Sequence, residues 1–385
     1  MASERFHQLD ALRGLAALSV VFLHYLSINA VYTDSCVASI ASCGGWLYAL
    51  KYSPLHLLFA GNEAVILFFI LSGFVLYVSY DVVDWQSYGR YLVRRFFRIN
   101  VPFYTACALA FLCIWLLQPV PIPGLSSYFN EHWTHLPGIR DVILWGLFVF
   151  GFDQQLTVSP AWSLVFEIHY SIAFPLLVWL VRRFRPLPLI AGALLASLLA
   201  SVGIKVFGDH VFIKTFTYAP DFLLGALLAH YRAVWTPLFT AMEHRRVAAL
   251  GSLALLAYTY NWWCFPAIKN LHWLYVQKIF VLPGAAVLIM ICASRTVLGG
   301  ALLFPSIQSL GRMSYGIYLV HILPVLVLGH LFFARWGYWP VVLVSLALTL
   351  LLAKASWELV EAPAIRLARR LNERWRPDQV TVTAR

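Results

Sequence analysis

Arg13 and His24 stand eleven residues apart in the apolar stretch LDALRGLAALSVVFLHY. Eleven residues make about three helical turns, so the two share a face and lie about 16 Å apart along the axis. A guanidinium at the edge of such a helix suits an anionic ligand, and an imidazole deeper inside suits a general base. The same pair also fits a snorkelling anchor and a hydrogen-bonded polar contact within a bundle. Glu167, in SPAWSLVFEIHYSIAFPLL, sits about 9 Å from one side of a hydrocarbon layer of about 30 Å, and His24 about 18 Å from the other. At that common depth the carboxylate would orient or charge-stabilise the imidazole, as in a triad, or bond a neighbouring helix. His169, two residues on, falls on another face and reads as a satisfied polar contact.

Further ionisable groups lie in apolar stretches, where they are costly and point to function. Glu63 and Asn62 enter a second stretch at comparable depth, so Glu63 is a candidate for the same cavity, as are Trp162 and Ser163 at the start of the Glu167 segment. Asp221 follows Pro220, where a local helix break would suit it. His321, in SYGIYLVHILP, reads as a second cavity histidine or as a packing polar group. In YGRYLVRRFFRINVP, Arg94 and Arg98 share a helix face, with Arg95 beside them. Arginine forks bind phosphates bidentately, although such a run also serves as a positive-inside anchor. There is no P-loop, no dinucleotide fingerprint and no metal-ligand spacing, so ATP, NAD and metal are not supported.

These groups must be held by membrane helices. The chain of 385 residues is 61% hydrophobic and 12% charged, with mean hydropathy +0.76. Soluble domains carry about 25% charged residues. The expected fold is an all-α polytopic bundle of about ten transmembrane helices, at roughly 12–31, 55–80, 99–118, 161–181, 187–207, 214–230, 247–265, 277–294, 313–333 and 339–358. The apolar run 142–152 is too short to cross and reads as a buried or re-entrant segment. The first apolar run is too long for a signal peptide and reads as a retained helix. Residues 1–360 form the membrane domain, and 361–385 a short, mobile basic tail.

The net charge of +11 comes from short basic runs between the spans, not from a nucleic-acid-binding patch. Arg90 to Arg98, Arg182 to Arg185, Arg232 to Arg246 and Arg366 to Arg376 all fall on one side when ten spans are counted. The positive-inside rule then places both termini in the cytoplasm, and the expected location is a bacterial inner membrane. Cys36 and Cys43 fall in an outer loop, where a disulfide can form.

From LDALRGLAALSVVFLHY through FFILSGFVL, RRFFRINVP, WSLVFE, APDFLLGALLAH and GRMSYGIYLVHILP to WELVEAPA, the order and spacing of segments resemble the membrane acyltransferase-3 family. The resemblance covers most of the chain. It implies an acyl-CoA donor, acceptors that are usually carbohydrates handled at the outer side, and the ten-span topology just derived. The family's Arg-x10-His element falls on Arg13 and His24, which makes His24 the implied general base. Its cytoplasmic arginine cluster falls on Arg94, Arg95 and Arg98, which implies contact with the CoA phosphates. Its WSLSVEEQFY-like segment falls on Trp162, Ser163, Leu164 and Glu167. Ile168 and His169 replace the second Glu and the Gln there, so Glu167 is the candidate carboxylate.

The expected activity is transfer of an acyl group, acetyl first, from cytoplasmic acyl-CoA to a hydroxyl of a surface, exported or lipid-linked glycan. His24, oriented by Glu167, would act as base, and Ser72, Ser163 or Tyr315 would supply an oxyanion donor. Succinyl or another short chain as the acyl group, and a small glycoside as acceptor, are open alternatives. A proton-coupled transporter would call for internal repeats, which the sequence lacks.

Overall fold

The computed structural model describes residues 6–35, 45–264, 273–294 and 296–375. Cys36 and Cys43 lie outside these residues. The fold is all-α: apart from one isolated bridge between Asn29 and Leu125, the regular structure of the described residues is helical. The principal helices are α1 (His7–Ser27), α2 (Gly61–Val78), α3 (Trp85–Leu117), α4 (Ile139–Leu147), α5 (Trp162–Arg183), α6 (Pro186–Phe207), α7 (Val211–Thr217), α8 (Ala219–His230), α9 (His244–Cys264), α10 (Trp273–Ala293), α11 (Pro305–Val320), α12 (Ile322–Trp336), α13 (Tyr338–Ser356) and α14 (Ala362–Arg374). Each of the ten expected spans falls on one of these helices or on a bent pair. Among the described residues, six segments are long and apolar enough to cross a membrane, or eight if α7–α8 and α11–α12, bent by 44° and 51°, each count as one span. The chain is a multi-pass membrane protein. Exposed apolar faces follow from that solvent: Leu199 on α6 is 62% exposed and Leu351 on α13 is 63% exposed, which water would not tolerate over whole helices.

Small residues let the central helices touch. Without a hydrophobic drive between helices in lipid, close backbone approach supplies much of the packing. On α1, Ala11, Gly14, Ala17 and Val21 form a buried stripe at helical spacing. A Cβ on Gly14 would lie 2.6 Å from the Gly311 backbone nitrogen of α11, and one on Gly311 2.5 Å from the Asp10 carbonyl. A second reciprocal pair, Gly73 and Gly225, seats α2 against α8 in the same way. The bundle centre thus runs α11, α1, α2, α8, with α5 packed on α2, α3 and α8.

Two expectations change. The arginine run, expected between two spans, is continuous with the third span in α3, a 33-residue helix of roughly 50 Å. Asp84 starts it: its carboxylate accepts from the Ser87 amide at 2.7 Å, and Ser87 Oγ accepts from the Asp84 amide at 3.0 Å. Residues 362–374 are likewise not a free tail but the helix α14, lying along α3, with Asn372 donating to the Arg90 carbonyl at 3.0 Å. The 142–152 run holds the end of the nine-residue α4, too short to span. Trp145 and Phe148 are buried, while Val142, Ile143, Leu147 and Phe150 are exposed, so this segment is buried only in part.

Candidate active site

At the end of the bundle that carries the N-terminus and the arginine run, a vestibule of about 360 Å³ is lined by Arg13, Arg98, Tyr315, Glu361 and Arg369. It shares Arg13, Arg98, Ser314 and Tyr315 with a narrower chamber of about 80 Å³, so the two adjoin. Deeper in, Ser72, Ser163, Glu167 and Tyr318 line the chamber.

Prolines and caps build this arrangement. Pro102 in α3 removes the amide that would bond the Arg98 carbonyl. Pro175 in α5 does the same to the Ser171 carbonyl. Tyr91 of α3 supplies the missing donor at 3.1 Å, tying α3 to α5 beside Arg95. Arg95 then reaches Glu167 Oε1 at 2.7 Å and Ser171 Oγ at 3.0 Å. Ser72 donates to the same carboxylate at 3.3 Å and accepts from Arg13 at 3.5 Å. One carboxylate therefore faces Arg13, Arg95 and Arg98, and the chamber keeps an excess of positive charge.

Arg94 is not part of this cluster. It turns to Asp81 at 2.6 Å on the exposed flank of α3. The expected i, i+4 pair gives way to Arg95 and Arg98, spaced i, i+3, because α5 packs on that side.

His24 has a different partner from the one expected. Its Nδ1 lies 2.7 Å from Nε2 of His321, with the ring planes inclined by 22° and the centroids 5.0 Å apart. Glu167, bound to Arg95 and Ser72, does not orient it. Depth along a helix does not fix the direction in which its face points. His24 is half-buried and His321 fully buried. Tyr128, from the connection after α3, places its ring 5.7 Å from His24 and its hydroxyl 3.3 Å from Ser159 Oγ. Behind it His132 is buried, and desolvation pushes its pKa down to about 4.

The remaining candidates separate. Ser163 exchanges a hydrogen bond with Tyr318 at 2.8 Å beside the chamber. Tyr315 donates to the Ile99 carbonyl at 2.8 Å. Glu63 is buried 3.7 Å from His56. Asn62 instead lines a second cavity, at the far end of α2 from the vestibule, together with Trp162, Phe166, Phe212, Lys214 and Tyr218; this groove measures about 790 Å³. His169 is satisfied, by Thr215 at 2.6 Å and the Val149 carbonyl at 2.7 Å.

Two charged residues escaped the sequence reading. Lys278 of α10 meets Asp221 of α8 at 2.6 Å, both fully buried. An acid and a base in separate apolar spans were the available signal. Glu361, in the last shared segment, lines the vestibule and accepts from Ser356 at 3.1 Å.

The acyltransferase-domain family matches residues 6–357, and the chain belongs to this membrane acyltransferase-3 family. It is an acyltransferase. It is 26% identical to nodulation protein 10 of Rhizobium leguminosarum bv. viciae over 94% of this chain and 95% of that protein. It is 27% identical to acyltransferase MdmB of Streptomyces mycarofaciens over 98% of this chain and 96% of that protein. No solved structure matches it.

Proposed function

We propose that the protein transfers an acyl group, acetyl first, from acyl-CoA to a hydroxyl of an exported or lipid-linked glycan. The observation that carries this reading is the basic chamber, where Arg13, Arg95 and Arg98 surround the single carboxylate of Glu167 at the foot of an open vestibule. Such an excess of guanidinium suits the phosphates of CoA. The vestibule faces the cytoplasm of a bacterial inner membrane and both termini lie on that side, in keeping with the basic runs. The pantetheine arm extends along α1 toward His24, about 16 Å from Arg13. The aromatic groove around Trp162 and Tyr218, with the polar side chains of Asn62 and Lys214, fits a sugar-bearing acceptor from the other side.

In the transfer, His24 takes the proton of the acceptor hydroxyl as its oxygen attacks the thioester carbonyl. The C–S bond then breaks, and the imidazolium returns the proton to the leaving thiolate, releasing CoA and the ester. Ser163 and Tyr318, which line the chamber with Ser72, Ser314 and Tyr315, supply hydroxyls for the developing oxyanion.

Thermal unfolding of the detergent-solubilised protein with acetyl-CoA, succinyl-CoA and free CoA tests the donor. Stabilisation is expected to vanish in Arg98→Gln and to persist in His24→Ala, while turnover is lost in both. Folded protein that no thioester stabilises would overturn the reading.

A further inference from the structure

His321 stands at a break that the sequence forces. Pro324 lacks an N–H, and its ring crowds the Val320 carbonyl four residues back. The segment divides there into α11 and α12, bent by 51°. At the break the His321 ring turns back on its own chain, with Nδ1 2.9 Å from the Tyr318 carbonyl and 3.1 Å from that of Ile317. The His321 carbonyl accepts from Tyr25 Oη at 2.9 Å, so α1 also grips the backbone at this point.

Carbonyl oxygens can only accept, so Nδ1 of His321 carries the proton. The ring is surrounded by those carbonyls, the Tyr25 and Tyr318 rings and His24. None of these is an anion that would offset a buried positive charge, and the neutral ring is the form that fits. Its Nε2 is therefore an acceptor. The atom 2.7 Å away is Nδ1 of His24, which must be the donor. The second nitrogen of His24, Nε2, is left with its lone pair, on the one ring of the pair that is not fully buried.

We propose that His321 is a positioning residue that holds His24 in the Nδ1–H tautomer, with Nε2 presented to the acceptor hydroxyl. The inference rests on the reading of His24 as general base. When the proton of the hydroxyl passes to His24 Nε2, the Nδ1–H bond to His321 stays in place and orients the imidazolium until the leaving thiolate recovers that proton. His321 gains and loses nothing in the cycle. The role given to a carboxylate in a triad is filled here by a neutral imidazole, itself fixed by a helix break.

Two amides separate positioning from structure. In His321→Gln the side-chain oxygen reaches the place of Nε2 and can accept from His24. In His321→Asn the shorter amide can still donate to the Tyr318 and Ile317 carbonyls, but it leaves His24 without an acceptor. The measurement is thiol release from acetyl-CoA by membrane vesicles of producing cells, whose own glycans serve as acceptor, against vesicles without the protein. His321→Gln is expected to keep kcat within a fewfold. His321→Asn is expected to lose about a hundredfold in kcat at unchanged KM for acetyl-CoA. Equal activity of the two variants, high or low, would overturn the positioning role. His24→Ala in the same assay separates the two levels: if it turns over normally, or if the unsubstituted protein releases no thiol, the base reading falls and this inference with it.

Discussion

Arg95 donates to Glu167 Oε1 at 2.7 Å across the α3–α5 contact, and that carboxylate is the counterion of the basic chamber. Both side chains are largely buried, at 15% and 19% exposure. Removing one member of such a pair leaves the other uncompensated, which is more damaging than never having built the pair. Glu167→Gln should therefore lower the stability of the ligand-free protein, by up to about 3 kcal/mol. CoA phosphates would then replace the lost anion, so the stabilisation by CoA should be larger in Glu167→Gln than in the unsubstituted protein. Thermal unfolding with and without CoA measures both. A drop in kcat with unchanged CoA stabilisation would instead return Glu167 to the role expected from the sequence, as the partner of His24.

The α2–α8 crossing depends on Gly73 and Gly225. A Cβ at Gly225 would run into the Ile70 carbonyl, and one at Gly73 into the Phe222 carbonyl, both rigid backbone. Gly225→Ala is expected to destabilise by about 1–3 kcal/mol. It should also weaken CoA binding, because α2 carries Phe68, Phe69 and Ser72 into the chamber. Gly192, on the lipid-facing α6, has open space where a Cβ would go. Gly192→Ala should be neutral or stabilising by up to about 1 kcal/mol. Unfolding temperatures of the two variants provide the comparison.

Span positions were legible because each needs a long apolar run, and α5, α6 and α13 lie close to their expected limits. The identity of the chemical groups was legible too, since Arg13, His24, Glu167 and His321 are expensive in lipid. Their partners were not. Pairing depends on which way a helix face turns, and here prolines decide it. Pro324 bends the chain at His321 and lets its ring fold back, while Pro175 opens the Ser171 carbonyl that Tyr91 fills beside Arg95. Glu63 and Glu167 looked alike as single acids in apolar runs. Packing gave one to His56 and the other to Arg95. The length of α3 was hidden because its first half is too basic to read as a span, although the Asp84–Ser87 capping pair marked the start.

Lys278 and Asp221 form a fully buried ion pair between α10 and α8. Lys278 also donates to the Thr217 carbonyl and lies 4.9 Å from the Tyr218 ring centroid, whereas Asp221 Oδ1 has no hydrogen-bond partner among the described residues. Lys278→Met alone leaves a buried carboxylate without its cation and should cost about 3–5 kcal/mol. Asp221→Leu combined with Lys278→Met removes both charges and should recover most of that loss. A double-mutant cycle on unfolding temperature reads the coupling. If the double variant were as unstable as Lys278→Met, the pair would be holding the α8–α10 geometry rather than merely neutralising itself.

His132 gives the connection after α3 a pH-dependent stability. Its imidazole is buried behind Tyr128, with Nδ1 2.7 Å from the Tyr128 carbonyl, and Nε2 has no partner among the described residues. Desolvation lowers its pKa from the usual 6.5 to about 4, against smaller opposing effects of the Tyr128 carbonyl and Asp153. The unfolded chain therefore binds more protons between these two values, and stability rises with pH across that window. The contribution is complete above about pH 6.5, falls as the pH drops, and levels off below about pH 4, over a range on the order of 3 kcal/mol. In His132→Gln the group that titrates is gone while a side-chain amide can still donate to the Tyr128 carbonyl. Its unfolding temperature should fall less steeply than that of the unsubstituted protein between pH 6.5 and 4. Parallel curves for the two proteins would mean that His132 takes up its proton in the folded state as readily as in the unfolded one, and that the connection opens to water around it.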